Sequence, residues 1–171
     1  MGDTIRTIFL IAAFSILMAF QINMAADIRT THQLKNGAEI AIHDAMLAYN
    51  KEELSKGKVV FNQTYAKKYL VDSLNANLKL TGTATSTTLY PKKDSFFTQP
   101  VKILKVVFVD ESNTRSFPYT YKDPEYDVTQ ILKRPGIVAI LETKAPRYFK
   151  GEDTIVRQAT SFEFQQSWVE N

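Results

Sequence analysis

The chain contains no cysteine. That excludes disulfides, thiolate metal sites, a cysteine nucleophile and a lipid anchor on cysteine. Histidine is nearly as scarce, with only His32 and His43. Eleven residues apart on a helix, they fall on nearly the same face but about 16 Å apart along the axis. They cannot share one metal and read as exposed helix histidines. Charge of one sign is also lacking: 21 Lys and Arg against 18 Asp and Glu give a net charge of +3. The basic residues are interleaved with acidic ones, not gathered in a stripe between aromatics, so nucleic acid is not an expected partner. HExxH, a phosphate-binding glycine loop, a dinucleotide fingerprint and a nucleophile elbow are all missing. No cofactor, no metal and no enzymatic activity are expected.

Charge is absent altogether from one stretch. Thr7 to Ala26 are 20 consecutive uncharged residues between Arg6 and Asp27, and most are apolar. As a helix they span about 30 Å, the thickness of a bilayer's hydrocarbon core. Gln21 and Asn23, the most polar of them, sit near one end, where headgroups would hydrate them. A cleaved signal peptide is the competing reading. Cleavage after Ala26 would put Met24 at the −3 position, and cleavage after Ala25 would put Asn23 there; neither is a small residue. The segment is therefore read as a retained transmembrane helix, with its short head in the cytoplasm and the rest of the chain outside.

Proline is missing up to Pro91. Leu34, Ala38, Ala41, Ala45 and Ala48 recur at three- and four-residue steps, widened by Ile42, Met46 and Tyr49, which marks an amphipathic helix. Joined to the apolar run, it is expected to reach from about residue 5 to about residue 54, with Gly37 a weak point where Asn36-Gly37 could kink and an exit at Gly57. A short strand follows at Val59–Phe61. Asn62 is placed to cap a second helix, about 63 to 78, with Ala66, Leu70, Leu74 and Leu78 on one edge. The Thr-rich run Thr81–Thr88 reads as a loop or weak strand.

The second half changes character. Strands are expected at Val101–Val109, Phe117–Tyr121, Ile137–Thr143 and Thr154–Phe164, with turns at Asn113 and Gly151. Asp127 is expected to cap one helical turn through Lys133. The fold class is therefore α+β: a long N-terminal helix, a second helix and a small, mainly antiparallel sheet. The division is an anchor over 1–27, an amphipathic extension over 28–56 and a soluble α+β domain over 57–171.

Candidate residues are few. Asp44 lies beside His43, and Glu142 lies within a strand, where a carboxylate normally points to solvent. Tyr119, Tyr121, Tyr126, Tyr148 and Phe149 either cover the core or form an aromatic surface. Pro146-Arg147-Tyr148-Phe149 is a candidate partner-binding edge. The small-residue stripe of Gly37, Ala38, Ala41, Ala45 and Ala48 would let another helix approach closely. The same residues could equally pack on the protein's own sheet.

An apolar N-terminal helix, its amphipathic extension and a C-terminal sheet resemble pilins and pseudopilins. Type IV pilins carry a Glu five residues after a glycine cleavage site; here Gly2 is followed at that distance by Thr7. A nearer resemblance is to TadE-like pilus-assembly proteins, in which a transmembrane helix runs into an Asn and a Gly-Ala pair followed by further alanines. That stretch here is Leu34-Lys35-Asn36-Gly37-Ala38-Glu39-Ile40-Ala41, with Glu39 where an Arg is usual. The resemblance covers roughly residues 7 to 48. It implies a non-enzymatic, membrane-anchored assembly protein of a bacterial pilus or secretion apparatus. Its expected partners are the lipid bilayer and other membrane proteins packed helix to helix, a homo-oligomer included. The alternative is a membrane-tethered extracytoplasmic binding or sensor domain using the tyrosine-rich loops.

Overall fold

A computed structural model describes residues 2–114 and 116–165. The apolar run and the stripe behind it form one continuous helix, α1, Gly2–Met46, about 68 Å long at 1.5 Å per residue. The helix assignment runs through Asn36-Gly37 without a break. Gly37 serves a different purpose: a Cβ there would lie 2.5 Å from Leu78 Cδ2. The glycine lets the end of α3 pack directly on the α1 backbone.

The helix ends at Met46 and not near residue 54. The chain leaves it because Ala48–Asn50 run extended beside Val60–Asn62. Asn50 N–H donates to Val60 O at 2.7 Å, and Asn62 N–H donates to Ala48 O at 2.7 Å. The expected strand at Val59–Phe61 is reduced to this pairing, a single bridge between Tyr49 and Phe61. Residues Lys51–Ser55 form a separate short helix, α2. Asn50 caps it, its side-chain oxygen accepting from Glu52 N–H, and Gly57 follows it with φ of 78°. The next helix, α3, is Gln63–Asn77, with Asn62 as its cap.

The strands are β1 Leu80–Thr81, β2 Thr88–Pro91, β3 Val101–Val109, β4 Tyr119–Asp123, β5 Val128–Leu132, β6 Gly136–Lys144 and β7 Ile155–Glu163. Among the described residues, five form an antiparallel sheet in the order β1-β2-β3-β6-β7, while β4 and β5 form a separate hairpin. The expected helical turn at Asp127–Lys133 is absent, because that segment is β5. Its buried positions are Val128 and Leu132, two strand periods apart. Asp127 takes φ of 52° in the hairpin turn, a conformation that Asp tolerates better than most residues.

Three layers result: α1 and α3, the sheet, and the hairpin. β6 lies between the outer two, and its Gly136–Leu141 stretch is buried throughout. Ile137, Ala139 and Leu141 face the helices, with Leu34, Ala41, Leu70 and Leu74. Val138 and Ile140 face the hairpin, with Tyr121, Val128 and Leu132. An uninterrupted apolar run such as Ile137–Leu141 is what a strand buried on both faces requires. In β3 the register slips between Ile103 and Lys105. The bulge turns both Leu104 and Lys105 toward the hairpin, so Lys105 Nζ meets Asp123 Oδ2 at 2.6 Å.

Candidate functional site at the root of the apolar helix

Burial divides α1 sharply. Every residue from Gly2 to Ala25 is exposed or half-exposed. Phe9, Phe14, Ile16 and Phe20 are 72%, 64%, 70% and 72% exposed. Burial begins at Ala26 and recurs at Thr30, Leu34, Gly37, Ala38, Ala41, Ala45 and Met46, the three- and four-residue steps of one helix face. Buried Thr30 is satisfied within the helix, its hydroxyl donating to Ala26 O at 2.7 Å. The bare segment is long and apolar enough to cross a membrane.

The loop between β6 and β7, residues 145–154, grips the helix where it changes character. Asn23 Nδ2 donates to Phe149 O at 3.1 Å. Asn23 Oδ1 accepts from the Tyr148 and Phe149 N–H groups, both at 3.2 Å. One turn further along, Asp27 receives a forked pair from Arg147, at 2.5 Å from Nη1 and 3.3 Å from Nη2. Arg147 also donates to Glu152 O at 2.8 Å and to the Thr154 hydroxyl. The two charged side chains are 16% and 30% exposed. Charge-assisted bonds of this geometry contribute about 1.5–3 kcal/mol each. Beside the loop tip, Tyr148 and Phe149 remain 62% and 45% exposed.

On another side of the same helix is an open groove of about 600 Å³, lined by Ile28, Arg29, His32, Asn36 and Asn77 among others. His32 lies on this groove. His43 is elsewhere, edge-on to Phe162 with ring centroids 5.3 Å apart.

The other candidates take structural roles. Asp44 accepts from the Ser73 hydroxyl at 2.5 Å and ties α1 to α3. Glu142 pairs across the strand boundary with Arg157 at 2.7 Å, and the Arg157 guanidinium lies 5.0 Å from the centre of the Tyr126 ring. Asp123 accepts from Lys105 and from the Tyr121 hydroxyl, at 2.6 and 2.8 Å. Lys105 first, then Tyr121, holds the Asp123 carboxyl below the usual range. The hydrogen bond that Lys105 donates to Asp123 in turn raises Lys105. Burial, followed by the same carboxylate, pushes up the Tyr121 phenol.

The small-residue stripe lies inside the protein. Ala38, Ala41 and Ala45 are at most 1% exposed, Ala48 is 7% exposed, and Gly37 abuts Leu78. The face is taken up by α3 and the sheet, the second of the two uses the sequence allowed. The tyrosines do not form one surface. Tyr121 and Tyr126 belong to the hairpin and pack against the sheet, whereas Tyr148 and Phe149 sit on the loop bound to Asn23. Tyr148 thus belongs with Asn23, Asp27 and Arg147. The sequence marks Asn23 and Asp27 only as the polar end of an apolar run, and nothing local reveals their partners.

No protein-family model, curated protein or solved structure matches the chain.

Proposed function

We propose that this chain is a single-pass membrane protein with a non-enzymatic, structural role in a bacterial surface apparatus of the TadE-like, pilus or secretion kind. The bilayer is its first partner. Other membrane proteins, or further copies of the chain, pack against the apolar half of α1. The head is cytoplasmic and the α+β domain extracytoplasmic.

One observation carries this reading: the bare half and the core half belong to a single unbroken helix. A domain on a flexible tether samples all orientations. Here the anchor is itself a core element, so the domain's tilt and height over the membrane are set by the helix. Fixed presentation is useful for building an assembly. Retention of the anchor is supported by the bonds to Asn23, which cleavage after Ala25 or Ala26 would remove. The shifted titratable groups Asp123, Lys105 and Tyr121 serve one another within the fold, in keeping with a structural role. The groove beside Arg29 and His32 supports a second reading, a membrane-tethered binding domain.

Photoreactive residues at Phe9 and Ile16 in intact cells test the choice. Adducts to a second copy or to identified components of a surface apparatus are expected. Adducts to lipid alone, together with a small ligand retained in the groove, would favour the tethered binding domain. Because the chain has no cysteine, single cysteines at Asp3 and Thr85 report orientation. An impermeant thiol reagent applied to intact cells is expected to label Thr85→Cys and spare Asp3→Cys.

A further inference from the structure

We propose that the β6–β7 loop is a second membrane contact, a foot that seats Tyr148 and Phe149 in the interfacial layer of the same bilayer that α1 crosses. This rests on the reading of α1 as a retained anchor.

Three observations point to lipid. The first is height. Asn23, which the loop grips, lies inside the uncharged run Thr7–Ala26, one helical turn before Asp27. A helix inserted by that run carries the loop tip to the edge of the hydrocarbon. The second is polar satisfaction. The Tyr148 N–H, Phe149 N–H and Phe149 carbonyl all bond to the single Asn23 side chain. A loop fully in water has no need of this, since water would serve each group. Near hydrocarbon, every unpaired backbone group is costly. Asn23 is likewise relieved of its own polarity by the loop. The third is the exposed surface. The loop bound to Asn23 leaves Tyr148 and Phe149 exposed, and Phe20 and Met24, within a turn of Asn23 on α1, are 72% and 56% exposed. Phe20 lies one turn below Asn23, on the same helix side. Tyrosine, with an apolar ring and a polar tip, suits the headgroup level. Lys150, exposed at the tip, can extend its amine back to water.

The foot would restrain rotation of the domain about the α1 axis, which the helix alone leaves free. Arg147 and Asp27 form its ankle, a pair bridging loop and helix just above the proposed contact.

Depth-dependent fluorescence quenching tests this on the full chain. The sole tryptophan, Trp168, is replaced by Phe, and single tryptophans are introduced as Tyr148→Trp, Phe14→Trp and Tyr90→Trp. Each protein is reconstituted into phosphatidylcholine vesicles carrying a nitroxide either shallow or deep along the acyl chain. The expected result is that Tyr148→Trp is quenched more by the shallow label, Phe14→Trp more by the deep label, and Tyr90→Trp by neither. If Phe14→Trp is quenched and Tyr148→Trp is not, the anchor stands and the foot is overturned. The same holds if Tyr148→Trp has blue-shifted emission insensitive to both labels, since another copy then covers it. If Phe14→Trp escapes quenching as well, the anchor reading itself fails and the foot with it. Phe149→Trp provides a second probe in case Tyr148→Trp does not fold.

Discussion

The two halves of α1 are similar in helical geometry and opposite in what surrounds them. From Thr7 to Ala25 most side chains are apolar, many of them large, and they lie exposed or half-exposed; from Ala26 to Met46 the inward ones are mostly small and covered. Leu, Ile and Phe all round a helix need an apolar medium, whereas Ala and Gly on one face need a close neighbour. In this protein the close neighbours are α3 and the sheet. The comparison shows that small residues in a helix mark close approach without saying whether the partner is another protein or the same chain.

The contrast can be broken most strongly in the bare half. Phe14→Lys with Leu17→Lys places two charges at the centre of the apolar run, at about 2.5–3.5 kcal/mol each for insertion. The variant is expected to leave the membrane fraction. Its domain should melt within a degree or two of the parent in detergent, as measured by circular dichroism. A large fall in melting temperature would mean that the bare half also supports the core.

In the covered half the effects reverse. Leu34 is fully buried, so Leu34→Ala is expected to cost about 2–5 kcal/mol of domain stability with membrane retention intact. Ile16→Ala, the matched truncation in the bare half, should change domain stability by less than about 0.5 kcal/mol. Denaturant titration of the two variants in detergent measures the contrast directly.

The junction is the next test. Asp27→Ala leaves Arg147 without its carboxylate and is expected to cost about 1.5–3 kcal/mol. Amide exchange should quicken first in the β6–β7 loop. Asp27→Ala with Arg147→Ala should cost less than the sum of the single changes, since the two act as one unit.

The smallest expected effect lies far from the helix, at Asp123. Its carboxyl is held below the usual range by Lys105 and Tyr121. The stability it contributes is therefore complete above the ordinary carboxylate range. It is lost as pH falls through that range toward the lowered folded value. Melting temperature should drop less on acidification in Asp123→Asn than in the parent, because the variant has already lost the pair. The raised Lys105 works in the opposite sense, its share fading only at strongly alkaline pH.

How much of this was legible in the sequence follows the range of the interactions. The apolar run, the Asn62 cap and the strands at Val101–Val109 and Ile137–Thr143 are local patterns, and they appear as expected. Asp127 reads as a helix cap in the sequence and stands in a hairpin turn in the fold, because Asp serves both helix caps and left-handed turns. The following Val128-Thr129-Gln130-Ile131-Leu132 is too short for its period to decide. Gly37 reads locally as a weak point in the helix, whereas its glycine answers to Leu78, forty-one residues away. At the candidate site Tyr148 could be singled out, but its link to Asn23 joins residues 125 apart. No spacing rule reaches that far. The stripe of alanines was visible, while its neighbours are a property of the fold.

The most direct measurement is intact-mass spectrometry of the protein recovered from carbonate-washed membranes. A retained anchor whose halves serve bilayer and core predicts the full chain, including Asn23, in the membrane fraction. A soluble species lacking the residues before Asp27 would contradict it.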